Sequence, residues 1–327
     1  MGYSKEVVEA VREEFEMRRA RAEGFQAAAL NKVYAEVPEI ATIDAKLRNV
    51  LPEITAAIAL GPEKCAAQIE IIRNNNLALQ KKREELLIEA GFDKDYTDIK
   101  YACPLCKDTG YTDDGVICAC FKTALTLEGY KRSGIANLIE KQSFESFSLD
   151  FYTGEEREIM EDNLSELRSF AQNFASDRRS FLLCGDTGLG KTHLSTAVAK
   201  CVIESGYDVI YETAQNVFFD FDNDRFRDRF GGEEPVSGKY LECDLLILDD
   251  LGTETVSQFS LSCLYNIINT RLNRGLPMII STNLSSTDIR RIYQDRITSR
   301  LFGEFTIKQF VGRDIRRQKI KNNSKKF

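Results

Sequence analysis

The chain has 327 residues, 43% of them hydrophobic, and 44 Lys and Arg stand against 51 Asp and Glu for a formal charge of -7 and a pI near 5.2. That length and apolar content suit a folded protein of two domains, and the acidic balance excludes a chain whose whole surface coats nucleic acid nonspecifically. The sequence has no apolar run long enough to span a bilayer, and MGYSKEVVEAVREEF at the N-terminus is too charged for a signal segment; a cytoplasmic protein with no membrane partner is expected, its nine cysteines reduced or metal-bound.

From Ser4 to about Leu30, Val8, Val11, Phe15, Ala22, Phe25 and Ala29 recur at helical spacing between charged residues, which predicts an amphipathic helix. A second helix is predicted from about Pro62 to Ala90, with Ile69, Ile72, Leu79, Leu86 and Leu87 on its stripe and Gly91 as its stop signal. Residues 1–95 therefore read as a helical module, whose stripe is either its own core or a docking face for a partner.

Next, in 96–128, come Cys103-Pro-Leu-Cys106 and Cys118-Ala-Cys120, two close thiol pairs joined by a loop containing Gly110 and Gly115. Two such pairs suit a closed tetrahedral shell around Zn²⁺, with a structural role because no position is left open. Four reduced free thiols are the alternative. The other cysteines, Cys65, Cys184, Cys201, Cys243 and Cys263, lie in apolar stretches and read as small core residues.

Residues 129–179 form a linker containing FESFSLDFY and a helical pattern from about Glu155 to Ser176. From 180 to 312 the runs FLLCG, DVIYET, DLLILDD and PMIISTN alternate with helical patterns, the mark of an α/β domain in which helices flank a parallel sheet. Residues 231–238, GGEEPVSG, read as a surface loop inside it. The tail 313–327 sets Arg313, Arg316, Arg317, Lys319, Lys321, Lys325 and Lys326 against the single acid Asp314, as a local nucleic-acid contact or a solvated basic end.

Within the α/β domain, Gly185-Asp186-Thr187-Gly188-Leu189-Gly190-Lys191-Thr192 fits G-x-x-x-x-G-K-[ST] between an apolar run and a helical stretch. The glycines let the backbone fold around phosphates, and the following helix turns its positive end toward them. Lys191 would reach the β- and γ-phosphates, and Thr192 would offer its hydroxyl to Mg²⁺. His193, the only histidine, is expected to pack at the edge of this site rather than act as a catalyst or a metal ligand.

The run Leu245–Leu248 ends in Asp249 and Asp250, the arrangement of a Walker-B strand: Asp249 for the Mg²⁺ shell, Asp250 to orient or deprotonate an attacking water. The strand 277–282 ends at Asn283, an amide placed to sense a γ-phosphate. Arg296 and Arg300, four apart, share a helix face; they are either surface residues or an arginine finger reaching a neighbouring subunit's nucleotide. The paired acids and Asn283 argue against a small-molecule kinase.

Taken together, GDTGLGKTHL, LLILDDLG, RLNRGLPMIISTNLS and YQDRITSRLFG resemble the DnaC/DnaI-type bacterial helicase loaders and the related IstB-type transposition ATPases, both AAA+ proteins, over roughly residues 100–312. The resemblance implies an AAA+ P-loop NTPase core that lacks the helical lid, preceded by a helical and zinc-binding module. It implies ATP and Mg²⁺ bound through Gly185, Gly188, Leu189, Gly190, Lys191, Thr192, His193 and Asp249, with Asp250, Asn283 and Arg296 serving hydrolysis and Arg300 a second candidate for the finger.

The same resemblance places Phe144, Phe147 and Tyr152 along the adenine, unless they are ordinary core. It implies self-association in the ATP state, a replicative DNA helicase as partner, and single-stranded DNA at Asn216–Phe221 with Arg225, Arg227 and Arg229. Against DNA there stand Asp220, Asp222, Asp224 and Asp228, and the helical spacing of Phe218 and Phe221 also suits core. Most AAA+ proteins carry Glu where Asp250 stands; the shorter side chain suggests slow hydrolysis. The alternative function is an IstB-type transposition helper that selects target DNA.

Overall fold

The computed structural model describes residues 3–59, 61–139, 141–227 and 236–318. Arg229, most of the 231–238 loop and the tail from Lys319 onward lie outside the described residues. The chain divides into two compact units, Arg12–Phe121 and the combination of Met1–Val11 with Lys122–Phe327.

The first of these units is helical. Helix α1 (Lys5–Glu36) starts at the predicted N-terminal end and runs six residues past Leu30, and α2 (Pro38–Arg48), α3 (Val50–Ala59) and α4 (Pro62–Glu89) follow. Pro38 and Pro62 each stand at the start of a helix, where a missing N–H costs nothing. The core of this unit is small: Val33, Ile40 and Leu87 are buried against Tyr34, Phe92 and Tyr96. Asp44 reinforces it, accepting from Arg83 at 2.6 Å and from the Tyr34 hydroxyl at 2.9 Å. The predicted stripes are only partly buried. Phe15, Ala22, Ile72 and Leu87 are inside, whereas Phe25 is 67% exposed under the Arg21 guanidinium and Ile69 is also exposed.

The other unit takes in the end of α5 (Ala119–Ser133), then α6 (Ala136–Ile139) and α7 (Glu155–Gln172), and then a sheet. In chain order come β1 (Ser180–Cys184), α8 (Lys191–Glu204), β2 (Val209–Thr213), α9 (Ala214–Arg227), α10 (Gly238–Glu242), β3 (Leu245–Leu251), α11 (Gln258–Arg274), β4 (Met278–Thr282), α12 (Ser286–Ile292), α13 (Asp295–Glu304) and β5 (Phe305–Gln309). All pairings are parallel, in the order β2-β3-β4-β1-β5.

Strand alternation builds two cores from one sheet. Phe181, Leu183, Leu245, Ile247 and Ile279 face Met160, Leu167 and Phe170 of α7 and Leu194 and Val198 of α8. The alternate residues Leu182, Leu246, Leu248 and Ile280 face Val217 and Phe218 of α9, Leu264 and Ile268 of α11, and Ile297 and Leu301 of α13. The result is a three-layer sandwich in which β1 lies between β4 and β5, so the loop after β1 opens at a point where strand order reverses, the usual place for a ligand in such sheets. Among the described residues no helix is long and apolar enough to cross a membrane.

Candidate functional site

The loop from Gly185 to Gly190 leaves the end of β1 and enters α8, a helix of 14 residues whose N-terminus points its unpaired N–H groups and partial positive charge into the cleft. Gly188 and Gly190 have φ of 80° and 94°, a region that side chains resist. The loop is also gripped from outside. A Cβ on Gly190 would lie 2.8 Å from the Phe147 ring, and one on Gly188 would lie 2.3 Å from Asp314 Oδ1.

That grip comes from two segments. Tyr152, 1% exposed, donates its hydroxyl to the Leu189 carbonyl at 2.9 Å. Phe147 stacks near it and meets His193 edge-on at 5.3 Å. His193 Nε2 lies 2.9 Å from the Ser143 carbonyl, which can only accept, so Nε2 carries the proton and the ring is a packing and anchoring group. After β5, the Ile315 N–H donates to the Gly188 carbonyl at 3.0 Å, and the Asp314 carboxylate accepts the Arg316 N–H at 2.9 Å. Phe147, Phe151 and Ile315 line one cleft together with Lys191, Thr192, His193, Asp250 and Arg316.

Lys191 is 6% exposed, and its ammonium donates to the Gly185 and Asp186 carbonyls at 2.6 and 2.8 Å. Burial pulls its pKa down, opposed by the charges of Asp250, Asp249 and Asp186. Thr192 Oγ1 donates to Asp249 Oδ2 at 3.2 Å. Because the hydroxyl proton goes to the carboxylate, the lone pairs of Thr192 remain available to a cation, and two hard oxygens stand side by side as Mg²⁺ requires. The donor set and the cradle therefore fit a triphosphate with its magnesium.

Consecutive side chains of a regular strand point to opposite faces, so two adjacent acids share a site only if the strand is broken. Here the β3–β4 register shifts between Leu248 and Leu251, and Asp250 adopts a φ of 55°. Such a bulge re-aims one side chain. Asp249, 5% exposed, takes hydroxyl protons from Thr192, Tyr211 and Ser281, while Asp250 turns into the cleft. Burial raises the Asp250 pKa and the neighbouring Asp249 charge adds to this, against Lys191 and Arg316. A carboxylate so placed is a stronger base than an exposed one.

Other predicted residues stand farther out. Asn283 follows β4, between the ends of β3 and β1, and does not line the cleft. Arg296 is exposed on α13, and its guanidinium and that of Arg300 lie 5.9 and 5.5 Å from the Tyr265 ring centroid on α11. On α9, Phe218 is core, Phe221 stacks near Tyr240, and Phe219 is exposed, 64% accessible. Tyr211, Ser281 and Arg316 are site residues with no motif to announce them.

In the helical unit, Cys103, Cys106, Cys118 and Cys120 bring their sulfurs within 4.8 Å of one another, with Cys103 to Cys118 at 3.8 Å and Cys106 to Cys120 at 3.4 Å. Four thiolates about 2.3 Å from one Zn²⁺ have sulfurs roughly 3.8 Å apart, so the cluster fits the metal. The loop is set by Asp108, which accepts the Ala102 and Cys103 N–H groups at 2.8 and 2.9 Å, and by Gly110, where a Cβ would strike Phe121 at 2.6 Å. Of the remaining cysteines, Cys184, Cys243 and Cys263 are buried and Cys65 and Cys201 half-buried.

A five-stranded parallel sheet between helical layers, a glycine loop leading from β1 into α8, and an acid pair at the end of β3 define a P-loop nucleotide-binding fold. The chain belongs to the IstB-like ATP binding protein family, whose profile matches residues 128–309. It is similar to the replicative helicase loader DnaC of Escherichia coli, at 26% identity over 172 residues that cover 53% of this chain and 67% of that protein. It is also similar to the phage-like element PBSX protein XkdC of Bacillus subtilis, at 25% identity over 65% of this chain and 83% of the relative. A crystal structure of the DnaC helicase loader aligns with a TM-score of 0.43 at 23% identity, covering 51% of this chain and 98% of that one.

Proposed function

We propose that this protein is an ATP-dependent loader that places a replicative DNA helicase on DNA. The observation that carries the reading is the similarity to the DnaC loader of Escherichia coli over 67% of that protein's length. The helical segment of residues 1–95, joined to the ATPase domain by the four-cysteine knuckle of residues 96–128, is the partner-binding module. Its exposed Leu51, Ile58, Ile71 and Leu77 give apolar surface for a helicase to cover.

In the ATPase unit Lys191 and the loop backbone hold the phosphates, and Thr192 and Asp249 hold Mg²⁺. The ion supplies charge neutralisation for the leaving phosphates. Asp250 orients the attacking water and takes its proton, and Asn283 assists once the subunits close on ATP. Arg296, exposed and resting on its own Tyr265, is free to swing toward the nucleotide of a neighbouring copy. Hydrolysis then ends the association and releases the loader, with single-stranded DNA contacting the exposed Phe219 and Arg225 of α9.

Purified full chain and the replicative helicase of its host, mixed with ATP, should co-elute and deliver the helicase to a single-stranded DNA circle. No delivery under conditions where both proteins are folded would overturn the reading. The IstB-type alternative is favoured by the family profile itself. It predicts ATP-dependent binding to duplex DNA and to a transposase in place of the helicase.

A further inference from the structure

The carboxylate of Asp249 is held more elaborately than the pairing of a glycine loop with an acidic strand end requires. Its Oδ2 accepts from Thr192 at 3.2 Å and also from the phenol of Tyr211 at 2.7 Å, and its Oδ1 accepts from Ser281, whose Oγ in turn accepts the Asp250 N–H at 3.0 Å. Tyr211 comes from β2, which pairs with β3 so that Thr213 stands opposite Asp249. The phenol therefore reaches along the strands, past one residue pair, to meet the acid. Its ring is 8% exposed, and the hydroxyl lies 3.4 Å from Ser195 Oγ, one turn into α8 from Thr192.

A buried tyrosine hydroxyl must find a partner, and that partner here is the acid assigned to magnesium. We propose that Tyr211 is a positioning residue for the metal: its hydroxyl pins Asp249 so that the carboxylate meets the cation together with Thr192. The inference rests on the proposed Mg²⁺–ATP site. The hydroxyls of Tyr211 and Ser281 hold the two carboxylate oxygens from different strands, which fixes the rotation of the group. With the Tyr211 hydroxyl removed, Oδ2 keeps only the longer bond to Thr192 and the carboxylate can turn toward Ser281. Ordering it again then falls to the metal, and its apparent affinity drops. Thr192 is itself a ligand candidate, so the reserve of order lies in Tyr211 and Ser281, neither of which needs to touch the ion. This is the arrangement by which outer hydrogen bonds set metal affinity elsewhere, commonly by 10–100-fold.

The test is a magnesium titration of the full-length protein with a fluorescent ATP analogue, read as nucleotide affinity and not as turnover. Tyr211→Phe keeps the ring and should bind the analogue in EDTA as the parent does. It should need roughly tenfold more Mg²⁺ for half of the metal-dependent tightening. Tyr211→Ile, suited to a buried strand, should show the same shift if the Phe variant folds poorly. Melting curves in EDTA serve as the control, since a purely structural tyrosine would lower the midpoint and leave the magnesium titration in place. A parent that tightens with Mg²⁺ and a Phe variant that titrates identically, or more tightly, overturns the role of Tyr211 alone. A parent that does not bind the nucleotide overturns this inference together with the site it rests on.

Discussion

Replacing Gly190 by Ala tests the cradle at its tightest point. At φ 94° a side chain costs about 1–2 kcal/mol. The new Cβ would also stand 2.8 Å from Phe147 Cε2 and 3.2 Å from the Tyr152 hydroxyl. Phe147 is 8% exposed and packed, so moving its ring adds about 1–3 kcal/mol of overpacking. The sum, about 2–5 kcal/mol, corresponds for a unit of this size to a fall in melting temperature of roughly 5–15 °C. Differential scanning calorimetry of Gly190→Ala beside the parent measures it, and nucleotide affinity should fall as the Phe147 wall is displaced. A variant that melts within about 2 °C of the parent and binds nucleotide equally would refute the account of how the loop is held.

Asp250→Asn should abolish turnover yet stabilise the protein without nucleotide. The raised pKa of Asp250 means that the folded state binds the proton more tightly, so the parent loses stability as pH rises through that range and the Asn variant does not. The gain should be small in acid and larger at neutral pH, and a variant less stable than the parent at neutral pH contradicts the burial argument. Arg296→Ala should bind ATP normally and hydrolyse it at least tenfold more slowly at high protein concentration; equal turnover removes the finger assignment. Cys106→Ser should lose one equivalent of zinc by metal analysis and lower the melting point of the helical unit. Zinc retained in full would show that the cluster is not its site.

Much of the site is legible because its chemistry is written in adjacent residues. The glycine spacing from Gly185 to Lys191 specifies the loop locally, and Asp249-Asp250 after four apolar residues marks a strand end. Strands β1 to β4 are equally plain, since doubly covered strands read as continuous apolar runs, whereas β5, FTIKQ, is partly exposed and carries no such run. What could not be read depends on pairing and on the path of the chain after β5. Tyr211 enters the site through the register of β2 on β3, Ser281 through that of β4, and Arg316 because Ile315 bonds back to Gly188. The strand break that turns Asp250 inward leaves no mark in composition. In the helical unit α2 and α3 were not anticipated, because segments of 11 and 10 residues offer too few periods to stand out. Phe25 and Ile69 matched the helical period and yet are exposed, since periodicity marks a stripe without saying what covers it.

The account depends most on Mg²⁺ and a triphosphate being held among Lys191, Thr192 and Asp249, and the most direct measurement is equilibrium binding of labelled ATP to Lys191→Ala and to the parent. Loss of an ammonium that donates to the phosphates should weaken binding roughly 10–100-fold, with the variant still folded by circular dichroism. Equal affinity in the two proteins would contradict the assignment and remove the basis for the loader.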